Sequence, residues 1–333
     1  MMKKKLVIIG SGPSGIVCAL NVYKSGIKAE DILIIEREDE LGGTLNLCIH
    51  QGFGKNELTG TEMASELSAL VKKNNIPYLV GTTVISITKE KIITAVSPTL
   101  GYTKIQADAI VLATGCRERS RGGLSIGGTR PAGIASAGTV QRFVNIEGYL
   151  PGKKTVIIGS TDIALIIARR LSLEGGQVLF VCDTRAKPQA HKTDISECLD
   201  YFGTPLKLRT TVTRIFGKER VEAIEIADLD KDGKLIKGTK QKIECDSLVY
   251  SCGFLPEIEL MQEVGIEIKK LTHGPKTDKR LETNVDGIFA CGNARIIHDD
   301  VEDVMADGKR AGKGVSDYLW FLNKRDRIRE EER

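Results

Sequence analysis

Short runs of consecutive apolar residues, each stopped by a glycine and followed by a helical period, organise this chain. Leu6 to Ile9 is the first such run, and four apolar residues in a row suit a strand buried on both faces. After Gly10 the period changes: Ile16, Val17, Ala19, Leu20, Val22 and Tyr23 recur three and four apart, predicting a helix that Gly26 ends. A second apolar run, Ile32 to Ile35, predicts a strand that stops at Glu36.

The same order returns later. Thr155 to Ile158 predicts a strand, Gly159 its stop, and an apolar period through Leu173 a helix closed by Gly175 and Gly176. Gln177 to Cys182 then reads as a strand ending at Asp183. Downstream, PYLVGTTVISI from Pro77 corresponds to PLKLRTTVTRI from Pro205, and DAIVLATG from Asp108 to DSLVYSCG from Asp246. Alternating β-type segments lie between these landmarks in both halves, and the stretch 228–240, rich in Asp, Lys and Gly, predicts an exposed hairpin loop. From the first glycine to Thr-Thr-Val the first half is about twenty residues longer, the excess running from Leu41 to Thr61. After Gly253 no third unit begins. Asn284 to Asn293 reads as turn, short strand and glycine stop, followed by a helix from about Asp300 to Leu322 and a frayed tail, RDRIREEER. These last elements are expected to complete the first sheet.

The turns carry the first chemistry. Gly10, Gly12 and Gly15 have the spacing G-x-G-x-x-G between a strand and a helix, and Glu36 lies 21 residues beyond Gly15. Such a turn brings backbone close to a pyrophosphate, the free N–H groups of the helix start meet its charge, and the acid accepts hydrogen bonds from a ribose. In the second copy Thr161 takes the place of the second glycine, where a side chain would crowd a pyrophosphate, and Ala164 that of the third. The expected fold is therefore α/β, two Rossmann-like three-layer dinucleotide-binding domains, each with a β-meander, the second inserted in the first. Residues 1–119 and 254–333 form one and residues 120–253 the other.

Composition narrows the classes. The chain has 333 residues, 28% charged and 41% hydrophobic, with a formal charge of +4. Aromatics at 5% and a single basic cluster, Lys3 to Lys5, argue against a nucleic-acid partner. No apolar run reaches the length of a membrane span and no signal peptide precedes the first strand, so a cytoplasmic protein is expected. Eight cysteines stand at least seven positions apart, which leaves no C-x-x-C for a dithiol relay and no spacing for a structural metal.

Taken together, GSGPSG with Glu36, Leu41-Gly-Gly-Thr44, Ala113-Thr-Gly115, the Gly159 turn and Gly287-Ile-Phe-Ala-Cys-Gly-Asn293 resemble the pyridine nucleotide–disulfide oxidoreductase superfamily, flavoproteins with two dinucleotide-binding domains. The likeness covers the whole chain. CIHQGFG, ELTG, ATGCRER, GTRPAG and VNIEGYLPGK resemble a subgroup of FAD/NAD(P)-linked oxidoreductases associated with glycerol-3-phosphate dehydrogenase-type flavoproteins and similar to opine and amino-acid oxidase subunits. The resemblance implies FAD in the first domain and NAD(P)H in the second. It implies that Gly10, Gly12, Ser14 and Gly15 hold the FAD pyrophosphate, and Glu36 with Arg37 the adenosine ribose. Gly43 and Thr44 would line the flavin side, Val84 would meet the adenine, Thr114 and Gly115 would close over the cofactor, and Gly292 and Asn293 would reach its ribityl chain. Relatives commonly carry Asp where Asn293 stands.

Gly159, Thr161, Asp162 and Asp183 are the corresponding NAD candidates, and Asp183 favours NADH over NADPH. Aligned on Gly42-Gly43-Thr44, the positions of the superfamily's redox cysteines hold Leu45 and His50, which excludes dithiol chemistry. Three functions stay open. The chain moves electrons between NADH and a partner flavoprotein of the glycerol-3-phosphate dehydrogenase type or a small acceptor, or it is a relay subunit with a degenerate nicotinamide site. The third is a peroxide or NADH oxidase that uses Cys48 as a single thiol. Cys48 and His50 would share one face if their segment were a strand, and His298 would assist at a helix start facing the flavin. No metal is expected, and a homo-oligomer is compatible with the sequence.

Overall fold

In the computed structural model, which describes residues 1–54, 56–124 and 126–331, the chain divides into two compact units. One comprises Met1–Arg117 and Leu255–Arg333, the other Glu118–Phe254. Among the described residues no helix is long and apolar enough to cross a membrane.

The first unit is built on a seven-stranded sheet. Strand Met2–Ile9 lies between the parallel strands Ile32–Ile35 and Gly101–Leu112, and Tyr78–Leu79 and Ile288–Ala290 add further parallel pairs. Thr83–Ile87 and Ile92–Ser97 extend the sheet as an antiparallel meander from Gly101–Leu112. The unbroken apolar run of the opening strand is explained by burial on both faces. Leu6 and Ile8 enter the core under the helices Pro13–Lys24, Gly60–Lys73 and Val301–Glu331, while Val7 and Ile9 enter a second core with Met261, Val264 and Ile266.

The second unit repeats the plan with one difference. Its five-stranded parallel sheet runs Leu206–Leu208, Gln177–Asp183, Lys154–Ile158, Ser247–Tyr250, Ile134–Ser136. The helices Ala137–Asn145 and Asp162–Leu173 cover one face. The meander Thr210–Phe216, Ala223–Asp228 and Gln241–Glu244 forms a separate sheet, and its Val212, Ile215 and Ile224 cover the other face.

The last helix continues through Glu331, beyond the expected end near Leu322. The stretch 322–331 contains neither Gly nor Pro, and its Arg, Lys and Glu are good helix formers. Two devices seat this helix. Its buried Gly308 and Gly312 lie on the first helix, where a Cβ would fall 2.2 Å from the Ser14 carbonyl oxygen and 2.8 Å from the Asn21 Cβ. Near its start, Asp307 takes Arg295 in a bidentate pair, Nε to Oδ2 at 2.7 Å and Nη2 to Oδ1 at 3.0 Å, and also meets His298 Nε2 at 3.2 Å. Burial pushes the Asp307 carboxyl up, but the hydrogen bonds and charge of Arg295, then His298, outweigh it and hold the group below its ordinary range.

Two outcomes follow from this seating. Gly312→Val should cost about 1–3 kcal/mol by overpacking, read as a lower denaturation midpoint with little change in slope. Asp307→Asn should cost about 3 kcal/mol at neutral pH, because Arg295 would keep its burial without its counter-charge. A depressed acid pKa stabilises above the unfolded value near about 4 and stops doing so as pH falls through the folded value. The gap in thermal midpoint between Asp307→Asn and wild type should therefore narrow below about pH 4.

Candidate functional site

Both units place a clasp of the same design at the C-terminal edge of the parallel sheet. In the first, Glu36 is buried and its Oε2 accepts hydrogen bonds from the Ser11 backbone N–H at 2.8 Å and the Ser11 hydroxyl at 2.7 Å. Its Oε1 accepts from the Glu38 N–H at 3.0 Å. In the second, Asp183 Oδ2 accepts from the Ser160 N–H at 2.9 Å and the Ser160 hydroxyl at 2.6 Å, and Oδ1 from the Arg185 N–H at 2.9 Å. Each carboxylate is buried yet hydrogen-bonded, which offsets its desolvation. Sequence reasoning missed Ser11 and Ser160. Their signal was present, a serine after the first glycine of both turns.

The first glycine of each turn has no substitute. Gly10 and Gly159 have φ of +103° and +97°, and a Cβ would sit 2.3 Å from the Ala113 carbonyl oxygen and 2.0 Å from that of Ser251. Beyond this point the copies diverge. Apart from its two chain neighbours, nothing lies within 4 Å of where a Gly12 Cβ would be, and the helix that follows has no side-chain cap. Pro13 has no N–H to offer, so Ser14 and Gly15 supply the free donors of that helix start. This is open space over an uncapped helix N-terminus, with a carboxylate at the neighbouring strand end. The residues present fit the adenosine and pyrophosphate of FAD.

In the second unit Thr161 fills the corresponding place. Its hydroxyl accepts from the Ala164 N–H at 3.3 Å and pairs with the Ser251 hydroxyl at 2.6 Å. Asp162 adds a carboxylate to the first turn, and Asp194 beside it has its pKa raised, first by burial and then by the Asp162 charge. Asp183 and its serine match the first unit, whereas the helix start at Thr161 is already capped and carries the Asp162 carboxylate.

Around the first clasp, the remaining candidates in the same unit gather unevenly. Gly43 packs on Gly12, its Cβ position 3.0 Å from the Gly12 Cα, and Thr44 is exposed in the turn that follows. The segment of Val84 is tied to the clasp by the Thr82 N–H, which donates to the Glu36 carbonyl at 2.9 Å, and Val84 itself is half-buried. Arg37 points outward, 72% exposed, beside Glu38. Thr114 donates to the Glu257 carbonyl at 3.1 Å, and the Gly115 carbonyl accepts from the Glu257 N–H at 3.0 Å. Gly292 sits against Ser14, its Cβ position 2.5 Å from the hydroxyl oxygen. Asn293 Oδ1 accepts from the His298 N–H at 3.0 Å, so the amide fixes the approach to the last helix. The ring of His298 is turned to Asp307.

Cys48 and His50 do not lie on a strand. Residues 43–47 form a 3-10 turn, and the chain from Cys48 to His50 is irregular. The Cys48 thiol donates to the Thr44 carbonyl at 3.5 Å, and the residue is pressed against Gly60, where a Cβ would fall 2.5 Å from the Cys48 Cβ and 2.7 Å from its carbonyl oxygen. Burial lowers the pKa of His50, which rests on Phe53 with ring centroids 5.2 Å apart, and its Nδ1 is buried without a partner. Alternation therefore does not bring this thiol and imidazole to one face. Five other cysteines are buried, and among the described residues no group of His, Cys, Asp and Glu could hold a metal ion.

Known proteins share this plan. Over 331 residues the chain is 25% identical to an NADH oxidase of Methanocaldococcus jannaschii, covering 94% of this chain and 70% of that protein. It is 24% identical to the NADP(+)-dependent formate dehydrogenase subunit beta of Moorella thermoacetica, covering 95% of this chain but only 44% of the relative. The crystal structure of Lactococcus lactis thioredoxin reductase superposes with a TM-score of 0.75 at 20% identity, over 95% of this chain and 99% of that one, a likeness of fold alone. The family model for pyridine nucleotide-disulphide oxidoreductases matches residues 4–311, and the chain belongs to that family, whose oxidoreductases use FAD and NAD(P)H.

Proposed function

We propose that this chain moves electrons between NADH and a partner flavoprotein or small acceptor by way of FAD, without a redox disulfide. The observation that carries the reading is the doubled clasp, Glu36 with Ser11 and Asp183 with Ser160, at two strand ends of the same geometry. When bound, FAD supplies the two-electron exchange with NADH, so no dithiol is required of the chain. Gly10, Gly12, Ser14 and Gly15 hold the pyrophosphate, Glu36 the ribose, and Gly43, Thr44, Val84, Thr114, Gly115, Gly292 and Asn293 shape the rest of the cradle. Asp183 holds the ribose of the nicotinamide nucleotide. A 2′-phosphate would meet that buried carboxylate, and Arg185, whose Nη1 is 3.7 Å from Asp183 Oδ2, offsets the charge only from an exposed position.

The partner proposed is a flavoprotein dehydrogenase of the glycerol-3-phosphate dehydrogenase type in the cytoplasm. Support comes from the subgroup runs in the sequence and from a relative that is itself an enzyme subunit. Tagged protein recovered from its native source should carry such a flavoprotein in stoichiometric amount.

A second reading has its own observation. Thr161 already caps the helix that would receive the nicotinamide nucleotide's pyrophosphate, as expected of a relay subunit that keeps FAD and lacks productive nicotinamide binding.

Anaerobic mixing with NADH separates the two. Loss of the yellow absorbance within seconds, with kcat/KM for NADH exceeding that for NADPH by at least about tenfold, is the expected result. An unchanged spectrum would reject NADH oxidation by this chain. Thr161→Gly should lower the KM for NADH while leaving flavin content unchanged. If the wild type is inert and only the variant bleaches, the relay reading holds.

A further inference from the structure

The first unit carries an open surface depression that neither clasp uses. It measures 440 Å³ and is lined by Lys269, Thr277, Asp278, Lys279, Arg295 and Arg310, four cations against one carboxylate. In a chain whose formal charge is only +4, that concentration of like charge needs an account.

Four segments line it: the loop of Lys269, the turn of Lys279, the chain at Arg295 and the last helix at Arg310. The loop that carries Lys269 is closed by the Lys269 N–H to the Gly274 carbonyl at 2.8 Å and by the Lys276 N–H to the Glu267 carbonyl at 2.7 Å. Gly274 lies flat on the backbone of Arg295, where a Cβ would fall 1.9 Å from the carbonyl oxygen. Lys279 sits in a turn held by Asp278 Oδ1, which accepts from the N–H groups of Arg280 at 2.8 Å and Glu282 at 2.9 Å. Asp278 Oδ2 faces Arg280 Nε at 3.3 Å, so the one lining carboxylate is committed to its own turn.

Arg295 is oriented from behind. Asp307 takes its Nε and one Nη2 hydrogen, which leaves the Nη1 edge for a ligand and costs no further ordering of the side chain. Arg310 lies 3.9 Å from Asp307 and is half exposed. Among the described residues Lys269 and Lys279 have no carboxylate within ion-pair distance. One held arginine fork, a second arginine, two ammonium groups and a threonine hydroxyl suit a compact group of two negative charges and several acceptor oxygens.

We propose that this depression binds a small phosphate monoester. A phosphate monoester has the charge, about −1.5 to −2 at neutral pH, and three acceptor oxygens, while the volume leaves room for a small organic moiety beyond the phosphate. The site uses none of the residues that hold the cofactors, so it stands apart from the reading above.

Calorimetric titration of the FAD-loaded protein in low-salt buffer tests it, with phenyl phosphate and inorganic phosphate as probes and succinate and matched sodium chloride as controls. Saturable binding of the phosphates is expected, weakened at least about tenfold in Lys269→Glu/Lys279→Glu and again in Arg310→Gln, with flavin content and thermal midpoint unchanged. Equal binding by the variants, or a heat reproduced by sodium chloride, would overturn the site. Saturable binding of succinate with none of phosphate would overturn the ligand class.

Discussion

A carboxylate buried at the end of a strand, bonded to the serine that follows the first turn glycine, is the constraint on which both units depend. Without those hydrogen bonds Glu36 and Asp183 would be uncompensated charges at the sheet edge, at a cost of several kcal/mol each. With them, the carboxylate ties the glycine turn to the neighbouring strand, and the Gly10 N–H adds a bond to the Ile35 carbonyl at 2.8 Å, as that of Gly159 does to Cys182. The turn can then take only one path, and the helix after it starts with its donors aimed beyond the sheet. A ligand at the first unit's helix start would meet donors already placed by the fold.

Once the turn is fixed, one side chain decides how open each helix start is. Gly12 leaves the place of its side chain open, whereas Thr161 supplies the cap itself and finds a partner in Ser251. A hydroxyl cap satisfies the same backbone donors that a phosphate would, so ligand and threonine compete for them. The third position differs in the same direction. A Cβ at Gly15 would lie 2.1 Å from the Gly10 carbonyl oxygen, while its counterpart is Ala164. The second turn has therefore relaxed enough to admit a methyl group, which the first cannot.

The parts legible in the sequence are those that local rules govern. Apolar runs gave the buried strands, glycines the turns, and the repeat of both the two units, because period and steric need act over a few residues. Ser11 and Ser160 repeat at one place in both turns, but their bonds to Glu36 and Asp183 span 25 and 23 residues, so no local period names the partner. Asp307 was hidden for the same reason, as its ion pair with Arg295 depends on how a helix is seated. Cys48 and His50 illustrate the opposite failure. Their spacing suggested a shared face, but Gly42 and Gly43, with φ of +124° and +59°, turn the backbone into a 3-10 turn before alternation can begin. The separation of the second meander into its own sheet also lies beyond pattern: Gly101–Leu112 runs unbroken from meander into parallel sheet, whereas the second unit breaks between Gln241–Glu244 and Ser247–Tyr250.

The early and late parts of the chain meet through the first unit's glycines. Gly308 and Gly312 bring the last helix onto the first so closely that Ser14, in the first turn of one, also packs on Gly292, which precedes the other. Asn293 and His298 then inherit their positions from that helix contact, since the His298 N–H donates to Asn293 and its ring to Asp307. The cradle's two sides therefore share one mechanical base. A larger residue at Gly308 would displace Asn293 together with Ser14, so a loss of flavin from such a variant would report the shared seating even though position 308 need touch no cofactor.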